Sequence, residues 1–433
     1  MCGIAGFCNF KEDFEENTDY WNFRLEKMRA VLAHRGNDAR GRYLKKHIGL
    51  SHSRLAIRDI LCGDQPMTRT HNGYEYTICY NGEIYNTDEL IPELSENGFV
   101  CSTTSDTEVI LYAYIHWGAD FVNRLNGIFA FAIWDAAKSR LLLYRDRVGV
   151  KPLFYAIRGD SLVFGSEPKA CFAHPAVKPE LDKQGLQELL AIGPAHTSGL
   201  SLFKDLFEVL PGHFMIYSQD GLHDETYWEL TSREHTESYR DTVAHTRFLV
   251  EDAIKRQMVS DVPVCTFLSG GIDSSIVTAI AANYMNTRGK TLNTFSFDFK
   301  DNDRYFKANA FQPERDLPYV NRMLEEYETA HSYLECDENS LFKALFAAVD
   351  AKDMPGMTDV DSSLLYFCSL VSRKNKVALT GECADEIFGG YPWFYRKELL
   401  ERYGFPWSSD VAPRLALLRA DVGLGLGLSG YQA

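Results

Sequence analysis

The first half of the chain alternates short apolar runs with turn residues. Runs rich in aromatic and β-branched residues are typical of strands, and Asn81-Gly82 and Asn126-Gly127 are predicted to be turns that bound them. Apolar residues at helical spacing predict a helix from Asp106 to His116. Strand runs with few helices between them predict an α+β layered domain. The strand runs are 76–80, 129–134 and 141–144.

The second half of the chain alternates strand and helix patterns instead. An apolar strand at 262–268 is followed by a glycine-containing loop and a helix over 274–284. Further strands are predicted at 291–297 and 376–380. Repeated strand–loop–helix units predict a parallel α/β sheet that binds ligands at the carboxyl ends of its strands.

A polar segment at about 218–245 separates these two patterns. We therefore predict two domains, at residues 2–217 and 240–433, which suits a chain of 433 residues at roughly 150 residues per domain. The net charge of −15 argues against nucleic acid and anionic membranes as partners. No apolar run approaches the roughly 20 residues of a membrane span, and no secretory leader is visible.

The ten cysteines include no CxxC pair, which argues against zinc-finger and thioredoxin sites. Most lie among apolar residues, as expected of a reduced, cytoplasmic protein. Cys2 is different, because loss of Met1 would place its thiol beside a free α-amine. An amine with a pKa of about 8 can take the thiol proton and later protonate a leaving ammonia.

Three further segments of the first half offer groups that suit an amino-acid amide. Arg54 can pair with a carboxylate, Asn81 with Gly82 can form an oxyanion hole, and Asp106 can bind an α-ammonium group. Each has a simpler alternative, respectively a surface ion pair, a hairpin turn and a helix N-cap.

Two loops of the second half contain residues that suit binding of phosphate and of Mg²⁺. Glycines and serines at 269–274 lie between a strand and a helix, where backbone N–H groups can hold phosphate oxygens. The loop lacks the Gly-Lys-Ser/Thr of a Walker motif, so β/γ cleavage is not predicted. In the acidic loop at 380–391, Asp385 can bind Mg²⁺ and Glu382 can act as a base toward ammonia.

The first half resembles the glutamine amidotransferase domain of the N-terminal-nucleophile type. The resemblance rests on Cys2-Gly3-Ile4-Ala5-Gly6, His34-Arg35-Gly36, Ser53-Arg54-Leu55-Ala56-Ile57, Asn81-Gly82-Glu83-Ile84-Tyr85-Asn86, Ser105-Asp106-Thr107-Glu108, the segment 145–155 and Ser166-Glu167-Pro168-Lys169-Ala170. It implies a four-layer α/β/β/α fold, with Cys2 as nucleophile and Asn81 and Gly82 at the oxyanion. It implies that glutamine is bound by Arg54, Leu55, Ile57, Asn81, Gly82, Glu83 and Asp106.

The second half resembles the pyrophosphate-loop domain of asparagine synthetases. The combined resemblance, to the glutamine-hydrolysing asparagine synthetase family, implies that ammonia travels through a tunnel to β-aspartyl-AMP made from aspartate and ATP. It implies ATP contacts from Leu268, Ser269, Gly270, Gly271, Asp273, Ser274, Phe297, Thr380 and Gly381. Mg²⁺ is predicted at Asp273 and Asp385, and Glu382 as a catalytic base. The family is compatible with a homodimer.

Two features depart from the family pattern. Cys383 and Ala384 stand where many members have Gly and Ser, and the chain ends before the helices that usually complete the synthetase domain. Three hypotheses therefore stay open: asparagine synthesis, the same chemistry on another carboxyl acceptor, and a shortened chain with glutaminase activity only.

Overall fold

The computed structural model describes residues 1–308, 314–401 and 411–432 of the chain. They divide into two compact units. The first contains Met1–Arg233 and Arg414–Tyr431, and the second contains the described part of Glu234–Pro413. The first unit thus extends past residue 217, where the sequence placed the end of the first domain. The predicted domains 2–217 and 240–433 remain a prediction.

Two six-stranded antiparallel sheets form the centre of the first unit. The first sheet has the order β10-β8-β9-β1-β3-β2 and the second β12-β11-β7-β6-β5-β4. The strands are β1 Gly3–Asn9, β2 Ala39–Lys45, β3 Ile48–Arg54, β4 Met67–His71, β5 Tyr74–Ile84, β6 Gly127–Asp135, β7 Arg140–Arg145, β8 Phe154–Arg158, β9 Ser161–Gly165, β10 Phe207–Glu208, β11 His213–Ser218 and β12 Gly221–Thr226.

Helices cover the outer faces of the two sheets. They are α1 Thr18–Ala30, α2 Thr87–Glu96, α3 Asp106–Trp117, α4 Pro168–Phe172 and α5 Lys183–Gln187. Short 3-10 helices lie at Phe14–Asn17, Ala33–Arg35 and Ala119–Arg124, and a π-helical turn at Glu188–Ile192. Helices α1 and α4 pack on the first sheet, and α2 and α3 on the second.

The alternation along β6 shows why four layers form. Phe129, Phe131 and Ile133 point into the core beneath α2 and α3. Ala130 and Ala132, on the opposite face, pack between the two sheets against residues such as Ile4. A strand has a side-chain period of two, so a strand with both faces apolar must be covered on both sides. This confirms the predicted α/β/β/α fold.

The predicted turn at Asn81-Gly82 is wrong. Both residues lie inside β5, where Asn81 pairs with Ala130 and Gly82 with Phe129. Gly82 is required by close packing here, because a Cβ at this position would lie 2.2 Å from the Ile128 carbonyl oxygen. The alternative that made Asp106 a helix N-cap is also wrong, because Ser105 caps α3 and Asp106 is its first helical residue.

The second unit is built around a four-stranded parallel sheet of order β15-β14-β13-β16. Its strands are β13 Val264–Phe267, β14 Leu292–Phe299, β15 Thr329–Cys336 and β16 Val377–Leu379. Its helices are α6 Tyr239–Arg256, α7 Ile272–Asn286, α8 Asn302–Tyr305, α9 Leu317–Glu326, α10 Glu338–Lys352, α11 Thr358–Val371, α12 Ala384–Phe388 and α13 Lys397–Leu400, with a 3-10 helix at Pro392–Phe394.

Helical residues cover both faces of this parallel sheet. Ala281 and Ala282 of α7 pack on one face with Val264, and Phe367 and Val371 of α11 pack on the other. The predicted parallel α/β sheet is therefore confirmed. Strand β15 was not predicted, because its exposed edge position leaves it few buried residues for a pattern to show.

Three short helices lie near the end of the chain: α14 Ala412–Leu415, α15 Ala420–Leu426 and α16 Leu428–Gln432. In the first unit, Arg414 Nη1 donates to the Leu190 carbonyl at 3.1 Å, and Gln187 Nε2 donates to the Leu426 carbonyl at 2.7 Å. Within the described ranges, no helix has both the length and the apolar character needed to cross a membrane.

Candidate active sites

The Cys2 thiol lies immediately before β1, against the end of β3. Its Sγ is 3.6 Å from the Leu55 carbonyl oxygen and accepts from the Leu55 N–H at 3.4 Å. Arg35 Nε donates to the Cys2 carbonyl at 2.9 Å, and Arg35 Nη1 pairs with Glu167 at 2.7 Å. Arg35 thus holds the backbone carbonyl of Cys2, and the Leu55 backbone contacts its thiol.

The surroundings of Cys2 shift the pKa values of its thiol and of the chain terminus in opposite directions. Burial raises the pKa of the Cys2 thiol, so the thiol is protonated at neutral pH. Burial, helped by the cations of Arg35 and Lys151, lowers the pKa of the Met1 α-amine from 8.0 to about 5. The Met1 α-amine is therefore neutral at pH 7, and the neutral form of an α-amine is the one that can accept a thiol proton.

Asn81 offers a hydrogen-bond donor that the described residues leave unused. Its side chain is 1% exposed, and its Nδ2 has no hydrogen-bond partner among them. A buried donor without a partner costs free energy, so it indicates an acceptor that arrives with a ligand. The neighbouring Gly82 lines the pocket that contains Cys2, as an oxyanion hole at this position requires.

Two buried carboxyl groups, Glu83 and Asp106, line the same pocket as Cys2. Asp106 Oδ2 accepts from the Tyr80 hydroxyl at 2.8 Å and from the Ile84 N–H at 3.1 Å, whereas Glu83 Oε2 has no partner among the described residues. Burial and the Asp106 charge raise the pKa of Glu83 to about 8, and burial raises the pKa of Asp106. Asp106, together with Glu83 when Glu83 is ionised, provides the negative charge that an α-ammonium group needs.

Arg54 is buried, and its guanidinium is already engaged. Its Nη1 donates to the Ile60 carbonyl at 3.1 Å and pairs with the exposed Asp64 at 3.0 Å. Its Nη2 donates to the carbonyls of Arg58 and Asp59. A surface ion pair with Asp64 therefore describes only one of the four contacts of Arg54, since the other three acceptors are carbonyls of one loop. A ligand carboxylate would have to replace Asp64.

The structure brings most of the predicted glutamine residues into one pocket. Cys2, Arg54, Leu55, Ile57, Gly82, Glu83 and Asp106 all line it. The predicted residue Asn81 is not among the residues that line the pocket. Sequence reasoning did not assign a role to Arg58, Gly63, Gln65, Tyr80, Ser105 and Thr107, which line it as well. Gln65 Oε1 accepts from the Tyr80 N–H at 2.6 Å, and this contact has no sequence signal. Arg58 could have been noticed, because it follows the segment 53–57 directly.

In the second unit, the loop 269–274 connects β13 with the N-terminus of α7. Ser274 Oγ lies 3.0 Å from Ser269 Oγ and donates to the Gly271 carbonyl at 3.1 Å. Gly270 has φ +83° and lies against α9, since a Cβ there would be 2.8 Å from Tyr319 Cβ. Gly271 occupies the N-cap without a side-chain bond, so the first N–H groups of α7 stay available to an anion.

A second pocket lies at the carboxyl ends of β13 and β14. Of the predicted nucleotide residues, it brings together Leu268, Ser269 and Phe297. Sequence reasoning missed Ser296, Asp298, Asn302, Asp316, Leu317, Val320 and Tyr333, which also line it. The Asp298 carboxylate accepts from Asn302 Nδ2 at 2.6 Å and from the Tyr333 hydroxyl at 2.8 Å.

The acidic loop packs directly on the phosphate loop. A Cβ at Gly381 would lie 2.8 Å from both Asp273 Cβ and the Ser274 nitrogen. Burial raises the pKa of Asp385, and the negative charge of Asp273 raises it further. Thr380 Oγ1 accepts from the N–H of the exposed Glu382 at 3.4 Å. The two predicted loops thus form one polar surface.

Comparison with protein families assigns both units. A glutamine amidotransferase domain model matches residues 1–228 and an asparagine synthase model matches residues 245–431. Glutamine-hydrolysing asparagine synthetase 3 of Bacillus subtilis is 47% identical over 432 residues, covering 100% of this chain and 69% of the relative. The chain belongs to the glutamine-hydrolysing asparagine synthetase family.

Other members of the family are more distant. Asparagine synthetase 1 of Bacillus subtilis is 32% identical, over 92% of this chain and 60% of its own length. Amidase chyE of Penicillium rubens is 31% identical, over 95% of this chain and 62% of its own length. The chain therefore spans about two thirds of the length of these three relatives. Binding of ATP fits the asparagine synthase domain of the family.

Proposed function

We propose that the chain makes asparagine. Glutamine is hydrolysed at Cys2, and the ammonia attacks β-aspartyl-AMP formed from aspartate and ATP, which gives asparagine, glutamate, AMP and pyrophosphate. The observation that supports this most strongly is the pocket that joins Cys2 to Asp106 and to Glu83, whose Oε2 has no hydrogen-bond partner among the described residues. Asn81, whose buried Nδ2 also has no partner among them, directly precedes the pocket residue Gly82.

In the first step, the Cys2 thiol attacks the glutamine amide carbon. Its proton passes to the α-amine of Cys2, which is free once Met1 is removed. Asn81 Nδ2 and the Gly82 N–H stabilise the oxyanion. The protonated amine then gives its proton to the departing ammonia, and water hydrolyses the resulting thioester. Arg54, Leu55, Ile57, Glu83 and Asp106 hold the glutamine, with Arg54 released from Asp64.

In the second step, the loop 269–274 holds the ATP phosphates through its N–H groups and serine hydroxyls. Leu268, Phe297, Thr380 and Gly381 complete the nucleotide contacts. Mg²⁺ would be held by Asp273 and Asp385, because Mg²⁺ takes one or two carboxylates together with phosphate oxygens. Bound there, Mg²⁺ would neutralise phosphate charge. The exposed Glu382 removes a proton from the attacking ammonia.

A second candidate is the same chemistry on a different carboxyl acceptor. It is favoured by Cys383, which is exposed at φ +70° beside the phosphate loop, and by the similarity to a relative named an amidase. Side chains in this loop would face the acceptor, so a change from Gly to Cys alters the space available to it. A third candidate is a glutaminase without ligase turnover.

One assay separates the three candidates. Purified protein with Met1 removed is given glutamine, ATP and Mg²⁺, with and without aspartate, while glutamate, pyrophosphate and asparagine are measured. Aspartate-dependent pyrophosphate and asparagine support the proposal. Pyrophosphate only with another carboxylic acid supports the second candidate, and glutamate without pyrophosphate supports the third.

Three further properties belong to this proposal. We infer a cytoplasmic location, consistent with the ten free cysteines of the described chain. We also infer that no nucleic acid or membrane is bound, because the net charge is −15. A homodimer stays a prediction, which sedimentation of the purified protein would test.

A further inference from the structure

Lys151 is a buried lysine close to the nucleophile, in a segment to which the proposed mechanism assigns no role. Its backbone is fixed by two contacts: its N–H donates to Asp146 Oδ2 at 2.9 Å, and its carbonyl accepts from Arg145 Nε at 3.2 Å. The residue is only 8% exposed. Burial of an ammonium group costs free energy, so a buried lysine at this position indicates a structural or functional role.

The ammonium of Lys151 points at the start of the chain. Its Nζ lies 3.0 Å from the sulfur of Met1, the residue that the proposed function requires to be removed. Loss of Met1 would take this partner away from the ammonium. The same terminus is approached by Arg35, whose Nε donates to the Cys2 carbonyl at 2.9 Å.

We propose that Lys151 is a positioning residue for the nucleophile: its ammonium repels a second positive charge at the N-terminus and so keeps the α-amine of Cys2 a free base. The inference rests on the proposed role of Cys2 as an N-terminal nucleophile. In this role Lys151 does not contact the amide bond that is cleaved.

The charges around the terminus are consistent with this role. Four groups face it: Cys2, Arg35 and Lys151, with Glu83 as the fourth. The two cations lower the pKa of the terminal amine, whereas Glu83 raises it. Arg35 is paired with Glu167 at 2.7 Å, so part of its charge is balanced, while no carboxylate of the described residues forms an ion pair with Lys151. Burial lowers the pKa of Lys151, and Glu83 and Asp146 partly oppose this without forming an ion pair with its ammonium.

The main test is the pH profile of the glutaminase reaction in two variants. Lys151→Met removes the charge and keeps a long apolar side chain, whereas Lys151→Arg keeps the charge. The control is Lys138→Met, which removes an exposed lysine from the turn between β6 and β7. Melting temperature and the mass of the N-terminal peptide are measured for each protein, so that unfolding and retained Met1 are recognised.

For Lys151→Met we expect the acid limb of kcat, measured at saturating glutamine so that the titration of Glu83 does not contribute through KM, to move up by about one pH unit. Starting from the pKa of about 5 that the terminal amine has in the unprocessed chain, this is a loss of about fivefold at pH 5 that disappears above about pH 7. Lys151→Arg and Lys138→Met keep the wild-type profile. An equal loss at every pH would overturn the proposal and indicate a packing role. A rise in the glutamine KM alone, without movement of the limb, would also overturn it, since Lys151 would then bind substrate.

A second readout does not depend on turnover. The α-amine of Cys2 is titrated by ¹³C NMR in wild-type and variant protein labelled at the cysteine Cα. We expect the α-amine of Lys151→Met to take up its proton about one pH unit higher than that of the wild type, because the repelling ammonium is gone. An unchanged titration midpoint would contradict the inference. Wild-type protein whose amine titrates as expected but that never hydrolyses glutamine would instead refute the proposed function and leave the charge effect measurable.

Discussion

The glutamine pocket and the phosphate loop solve the problem of ligand binding in different ways. In the first, Asn81, Arg54 and Asp106 are at most 5% exposed and are fixed by sheet register and buried hydrogen bonds. In the second, Ser269, Gly271 and Glu382 are exposed, and Ile272 is 77% exposed. One site is made of buried side chains and the other mostly of backbone at a helix N-terminus.

This difference predicts how each site responds to mutation. Removal of a buried side chain takes away a particular chemical group and leaves its partners unsatisfied. A backbone site loses little when one hydroxyl is removed, but it is sensitive to any added atom that moves the loop. The five predictions below test this contrast, from the largest effect to the smallest.

Cys2→Ala should reduce glutamine hydrolysis to background, a loss of about 10⁴-fold or more, because the reaction loses its nucleophile. Synthesis with added ammonia should continue, because the phosphate loop is untouched. Glutamate release and pyrophosphate release are measured separately. An equal loss of both activities would show that the two sites are not chemically independent.

Asn81→Ala should lower kcat for glutamine hydrolysis by about 10²- to 10³-fold with little change in KM, as expected when one oxyanion donor is lost. Steady-state kinetics at saturating glutamine measure the effect. Asn86→Ala is a suitable comparison, because the amide of Asn86 already donates to the Arg124 carbonyl at 3.0 Å. If Asn81→Ala raised KM alone, Asn81 would bind substrate instead of stabilising the oxyanion.

Gly381→Ala should lower ATP-dependent pyrophosphate release by about tenfold to a hundredfold, the effect of an overpacking cost of about 1–3 kcal/mol. The added Cβ would lie 2.8 Å from the Ser274 nitrogen and push the two loops apart. Gly425→Ala is the control, since a Cβ there meets no atom within 4 Å. Glutaminase activity should be unchanged in both variants. Normal pyrophosphate release in Gly381→Ala would show that the loops adjust.

The glutamine KM should rise as the pH falls from about 8 to 6, by at most about tenfold per pH unit. The pKa of Glu83 is raised to about 8, so the carboxyl group takes up a proton below that pH. An α-ammonium group binds the ionised form, so protonation weakens binding. Glu83→Gln should raise KM and flatten the dependence. If the glutamine KM of Glu83→Gln still depended steeply on pH, another titrating group would be responsible.

Asp64→Asn should lower the glutamine KM by no more than about fivefold, because an exposed ion pair contributes about 1 kcal/mol or less. Asp64 is 75% exposed and pairs with Arg54, which a ligand carboxylate would need to reach. Asp205→Asn breaks a comparable exposed pair with Arg158 and should leave KM unchanged. A higher KM in Asp64→Asn would show that the pair positions Arg54 for the ligand.

The sequence alone determined the two kinds of domain. Strand-like runs in the first half indicated an α+β layered domain, the family resemblance implied its four-layer α/β/β/α form, and strand–loop–helix repeats in the second half indicated a parallel sheet. All three were found. The sequence also identified both loops of the second unit and most residues of the glutamine pocket. These features could be predicted because local patterns and short motifs carry them.

Tertiary structure decided which neighbours each residue has. The dipeptide Asn81-Gly82 is typical of a turn. It nevertheless lies within strand β5, because pairing with β6 outweighs the local conformational preference. Arg54 is chemically suited to a free carboxylate, yet the loop 58–64 folds around it and engages its guanidinium. Lys151 is distant in sequence from Met1, yet the fold places its Nζ 3.0 Å from the Met1 sulfur. Contacts between residues distant in sequence depend on how elements pack, and no short pattern contains that information.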